Sequence, residues 1–203
     1  MKRVSLLVSA FAVAGLCPAA QGQAPSNADW PCVQRKVPVI AAGTVWSGPD
    51  LQKVGPWQSD ADAAALAQRL ASRRTRPEEV GPLIDEFLAK IGEHRAERLT
   101  RVFAGVLEIV NTERSRVIAG IERYARGQGK LAERIRKEAD EVSAARDEPA
   151  VQLGKDLQDL ETRFQWDKRI FEERAQALRS VCDTPVLLEH HLFEIARRIQ
   201  ERL

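Results

Sequence analysis

The chain has 203 residues, with 31 Lys and Arg against 29 Asp and Glu, 44% hydrophobic, 30% charged and only 5% aromatic residues. That length suits one domain with its own core, and the near balance of charge excludes the strongly basic class that binds nucleic acid. Few aromatics among many charges point to helices with solvated faces and a narrow aliphatic seam.

The first 22 residues read as a secretory signal. Lys2 and Arg3 precede an almost unbroken apolar run from Val4 to Leu16, and Ala20 and Gly22 supply the small residues that a signal peptidase inspects. The competing reading is a retained anchor, but a run of roughly 13 apolar residues is short of the roughly 20 needed to span a bilayer. Cys17 invites a lipoprotein reading, against which Leu16 occupies the position where a small residue is wanted. Cleavage after Gly22 would remove Lys2 and Arg3, leaving 29 basic residues for 29 acidic ones. The sequence therefore predicts a periplasmic or otherwise exported, nearly neutral protein with no transmembrane segment after signal cleavage.

Residues 23–58 read as an extended strap. Pro31, Pro38 and Pro49 disfavour helix, and Trp30, Trp46 and Trp57 offer large apolar surfaces, either to cover a helical bundle or to form a partner-binding platform. Cys32 also lies here. With Cys17 removed it leaves Cys182 as its one possible mate, and an exported chain with two cysteines favours a bridge over two separate buried thiols. In the simple loop model such a long crosslink stabilises by up to about 5 kcal/mol. Neither cysteine sits in a CxxC pair, so a redox-active role lacks support.

Residues 59–111 read as a helical base. Ser59 and Asp62 form a capping-box-like start for a helix carrying Ala63, Leu66, Ala67 and Leu70 on one stripe. Thr75 and Glu78 mark the next start, with Val80, Leu83, Ile84, Phe87, Leu88 and Ile91 on one side. Gly81 and Pro82 argue for a later beginning, and Gly92 for an end or bend.

From Glu93 to about Ala145 no proline intervenes, and Leu99, Phe103, Val106, Val110, Val117, Ile121, Tyr124, Leu131, Ile135 and Val142 recur at coiled-coil spacing. After the breaker at Pro149 a second series follows: Leu153, Leu157, Leu160, Phe164, Phe171, Leu178 and Val181, with Asp167 and Arg174 interrupting two positions. Residues 112–182 are thus expected to form an antiparallel coiled-coil hairpin with its turn near 146–149, which sets Cys182 beside residue 112. Thr184 and Pro185 suggest the start of a final helix, 183–203, packing on the base. The expected fold is all-α: a helical base, a long antiparallel coiled-coil hairpin, an extended N-terminal strap and one disulfide.

Trp166 is the anomaly of the hairpin. Two residues past Phe164 it points away from the seam, and Ile170 joins it one turn later; the strap, the base, a second subunit or a partner must cover this face. Trp166, Ile170, Trp30 and Trp46 are accordingly the candidate partner-binding residues.

Catalytic patterns are lacking: no GxSxG, HExxH or P-loop occurs, and the carboxylates interleave with Arg and Lys as on solvated helix faces. Glu189, His190 and His191 are the nearest thing to a metal cluster, but adjacent helical residues diverge by about 100 degrees, so no metal site and no cofactor are expected. The segments WPCVQRKVP and VWSGP resemble those of uncharacterised secreted proteins of proteobacteria. The resemblance runs on through FAGVLEIVNTERSRVIAGIERYARGQ and Cys182. It implies a periplasmic address and a family spanning the whole chain, and it contributes no site residues.

Together these readings predict an exported, non-enzymatic interaction or scaffold protein of the cell envelope, partnered by an envelope protein or by itself. A holdase-like chaperone and, behind it, a metal or cofactor carrier are the alternatives.

Overall fold

Local signals place most of the helices within a residue or two of expectation, and the differences have identifiable causes. The structure, a computed structural model, describes residues 30–148 and 155–203. The signal segment, Cys17, residues 23–29 of the strap and the breaker from Pro149 lie outside the described residues. Among those described the chain is helical without strands: α1 (Ala42–Val45), two 3-10 turns (Leu51–Val54 and Trp57–Ser59), α2 (Ala61–Ala71), α3 (Pro77–Lys90), α4 (Arg95–Asp147) and α5 (Lys155–Gln200).

Asp60, not Ser59, caps α2. Its carboxylate accepts from the Ala63 N–H at 3.1 Å, while the Ser59 hydroxyl turns back to donate to the Pro56 carbonyl at 2.7 Å. A carboxylate suits the site better because it also receives Arg98 of α4, through Nε at 2.6 Å and Nη2 at 2.8 Å. For α3 the start is Pro77, where a missing N–H costs nothing, and Glu79 accepts from the Arg76 backbone N–H at 2.9 Å. Pro82 does not delay this helix. It forfeits one early backbone bond, offset by the buried face of Val80, Leu83, Ile84, Phe87 and Leu88.

The base is one apolar core. Leu70 of α2, Ile84 of α3, Leu99, Phe103 and Val106 of α4, and Leu188, Leu192, Ile195 and Ile199 of α5 are all at most 1% exposed. The strap adds Ile40 and Val45 to the same cluster. Beyond it α4 and α5 continue alone as an antiparallel pair, so the base and the hairpin share two uninterrupted helices of 53 and 46 residues.

No new helix begins at Thr184. Pro185 lies inside α5, buried, with its carbonyl accepting from the guanidinium of Arg114. The proline removes one donor from the helix ladder, but the neighbouring disulfide and the α4 contact hold the backbone through it.

Cross-seam pairs fix the register. Gln128 donates to the Phe171 carbonyl at 3.1 Å, and Arg134 pairs with Asp167. Both pairs centre on about residue 150, against the centre near 147 assumed from the sequence, so Cys182 falls opposite about residue 118 rather than 112. The projecting arm is therefore about 45 Å long at 1.5 Å per residue.

Two seam assignments shift as well. Val181 is 44% exposed, and Cys182 takes the buried position in its place. Tyr124 lies at the rim, 37% exposed, while Ile118, Gln128 and Glu138 are buried. The disulfide joins Cys32 to Cys182 with their Cα atoms 5.6 Å apart.

Candidate functional site

The strap runs antiparallel to α4. Lys36 pairs with Glu122, the Val37 carbonyl accepts from Arg114 Nε at 2.8 Å, and the Pro38 carbonyl accepts from the Ser115 hydroxyl at 3.2 Å. Further along, Asn111 grips Ile40 at both ends of its peptide unit, accepting from its N–H at 2.8 Å and donating to its carbonyl at 3.0 Å. An extended segment has no internal partners for its backbone, so polar side chains of α4 supply them. Arg114 is the central clamp: it is 3% exposed, binds strap and Pro185 at once, and has Glu189 within 3.5 Å. Burial pulls its guanidinium below the usual arginine range, and Glu189 opposes that shift.

Trp46 belongs to this packing. Its ring stacks on Phe103 with centroids 4.1 Å apart and planes 7° from parallel, and its Nε1 donates to the Pro49 carbonyl at 2.8 Å. Gly48 permits the approach, since a Cβ there would lie 2.5 Å from the indole. Trp57 covers Gly105 in the same way and donates to Glu108 at 3.0 Å. Trp30 is half-buried, and its Nε1 donates to the Gln34 carbonyl at 2.6 Å. Trp46 and Trp57 therefore cover the bundle.

Trp166 stands apart from these three. On the outside of the arm it is 59% exposed, with the Arg169 guanidinium 5.9 Å from its ring centroid and Arg169 in turn bonded to Glu173 at 2.9 Å. Ile170, half-buried, lies beside it, and Val181 continues the exposed apolar surface toward the base. Across the rim Tyr124 donates to the Arg174 carbonyl at 3.1 Å, which places Tyr124 on the same face.

The described part of the strap does not cover that face. Glu122, which it reaches, and Tyr124 are two residues apart on α4 and so point about 200 degrees from one another. Val181 and Tyr124 escape a reading of the sequence because both fit the heptad arithmetic; only the position of the disulfide at Cys182 rotates Val181 outward.

Glu189, His190 and His191 are not brought together. One His191 ring nitrogen is 2.8 Å from the Leu70 carbonyl, Glu189 is turned to Arg114, and His190 is exposed. Among the described residues no group of three or more His, Cys, Asp or Glu is placed to hold a metal ion, and no helix is long and apolar enough to cross a membrane.

Comparison with protein-family models, with curated proteins and with solved structures gives no match. The arm's outer face is thus the candidate site on its own geometry: an aromatic and aliphatic patch, rimmed by charge, on a two-helix projection.

Proposed function

We propose that the chain is an exported, periplasmic helical interaction or scaffold protein of the cell envelope, without catalytic activity, which presents its arm to a partner protein. The observation that carries this reading is the contrast among tryptophans: Trp46 and Trp57 are packed on the base, whereas Trp166 is 59% exposed on the arm. An exposed indole beside Ile170 is costly in water unless something binds it. The disulfide and the signal-like start support the exported address. An N-terminal readout of envelope-fraction protein beginning at Gln23 is expected, and one beginning at Met1 would count against export.

The functional test is Trp166→Ala. Helicity and melting temperature should change little, while partner association weakens by on the order of 2 kcal/mol, as for an interface aromatic. A melting temperature lowered as far as that of Phe164→Ala, with association intact, would return Trp166 to a packing role. A holdase-like activity is the second reading, favoured by Leu187 at 65% and Phe193 at 54% exposure on the base end of α5. It requires the chain to suppress aggregation of an unfolded client at near-stoichiometric ratios, which the scaffold reading does not.

A further inference from the structure

The outer face of α5 has a symmetry of its own. Reading outward in either direction from the bond between Glu173 and Arg174, apolar residues stand three and seven positions away: Ile170 and Trp166 from Glu173 toward the tip, Ala177 and Val181 from Arg174 toward the base. The spacing is the same both ways. These residues form two rows at helical i, i+4 spacing, Trp166, Ile170 and Arg174 in one and Glu173, Ala177 and Val181 in the other.

We propose that the partner of this face is the same face of a second copy of the chain, the two α5 helices crossing about a two-fold axis between Glu173 and Arg174. The assignment rests on the reading of the arm as an interaction surface and names its occupant.

Rotation about that axis sets Trp166 against Val181 of the second copy and Ile170 against its Ala177. It also sets each Glu173 beside the other copy's Arg174, so opposite charges meet twice at the centre and apolar pairs meet on both sides. Interdigitation of two such rows is the packing in which helices cross at about 50 degrees, so the arms diverge on either side of the axis. The small Ala177 admits the close approach that the large Ile170 requires.

The described residues leave this arrangement accessible. Trp166 and Val181 are 59% and 44% exposed, and Glu173 and Arg174 are exposed. Tyr124 marks the rim on α4 and the strap lies on the opposite side. A face of about six residues from one helix is small for an interface, so the contact is weak, with a Kd on the order of 10 µM.

Sedimentation velocity on the full disulfide-bonded chain, from about 1 to about 200 µM, should show monomer passing to dimer. Glu173→Arg and Arg174→Glu should each weaken the dimer about tenfold or more, because each places like charges across the axis twice. The double exchange E173R/R174E rebuilds the pair with its signs reversed and should recover dimerisation to within a few-fold. All of these positions are exposed, and unchanged far-UV helicity checks that each variant is folded. A chain that stays monomeric throughout overturns the assignment, and so does a dimer indifferent to Glu173→Arg or one that the double exchange fails to restore. A photo-crosslinker at position 170 in the living cell separates this from the broader reading. A product of twice the chain's mass supports the second copy. An adduct to a different protein overturns the second copy and keeps the arm as an interaction surface, and the lack of any adduct overturns both.

Discussion

The base and the arm are built from the same two helices and are held together differently. In the base, Phe103, Val102, Val106 and Ile195 are fully buried among aliphatic neighbours. In the arm the seam also holds Gln128, Glu138 and Asp167, each at most 8% exposed, and among the described residues one acceptor oxygen on each of Gln128 and Glu138 lacks a hydrogen-bond partner. Asp167 meets Arg134, and Glu138 lies 3.5 Å from Arg163. Two helices alone bury little area, and half-buried charge pairs contribute little net stability because desolvation offsets attraction. Such pairs do discriminate between registers. Sliding the arm by one heptad would break both ion pairs, setting Asp167 against Gly127 or Glu141 and Glu138 against Asp156 or Ile170. Packing stabilises the base; charge selects the alignment of the arm.

The sharpest way to break that comparison is to remove a ring from each part. Phe103→Ala should cost about 4 kcal/mol in denaturant unfolding, because it leaves a closed cavity beneath Trp46. Phe164→Ala in the half-buried arm should cost well under half as much. Equal losses would show the two parts to be one packing unit.

The disulfide comes next. Cys182→Ser should lower stability by about 3 kcal/mol, with hydrogen exchange rising first in the strap around Ile40 rather than in the arm seam. If protection is lost in the arm while the strap keeps its own, the bridge serves the hairpin and not the base.

The smallest effect is one of pH at the junction of α2 and α4. Arg98, bonded to Asp60, holds that carboxyl below the usual carboxylate range, with the Ala63 N–H adding to the shift and burial opposing it. A lowered folded pKa means that the contribution is present above the unfolded value and is lost as pH falls through the folded one. Asp60→Asn should therefore cost about 1 kcal/mol at neutral pH, and the difference from the parent chain should shrink as pH drops below about 4. A difference that grows in acid would assign the stabilisation to another group.

Much of this architecture was legible in the sequence because it rests on periodicity and cysteine arithmetic. The heptads of Leu157, Leu160, Phe164 and Phe171 specify a seam, and the pairing of Cys32 with Cys182 ties the strap to it. The path of the strap was not legible. Arg114 and Asn111 look like members of a solvated helix face, yet one is buried and both bind strap backbone, because an extended chain must find its hydrogen bonds outside itself. Pro185 misled for a related reason: the local preference for a helix start yields to tertiary contacts on both sides. On the arm, Trp166 and Ile170 were visible as departures from the seam. Val181 and Tyr124 were hidden within it, since heptad counting alone cannot say which of two neighbouring positions turns inward.

The bridge between residues 32 and 182 also closes a covalent ring that contains α2, α3, the whole of α4 and the tip of the arm. A protease that nicks the chain anywhere between the two cysteines opens the ring without releasing a fragment, and the two pieces part only on reduction. Tension applied at the ends of the chain is carried by the disulfide past the base helices and the arm. The arm is mechanically a side loop, able to bend, bind or be cut while the load passes beneath it.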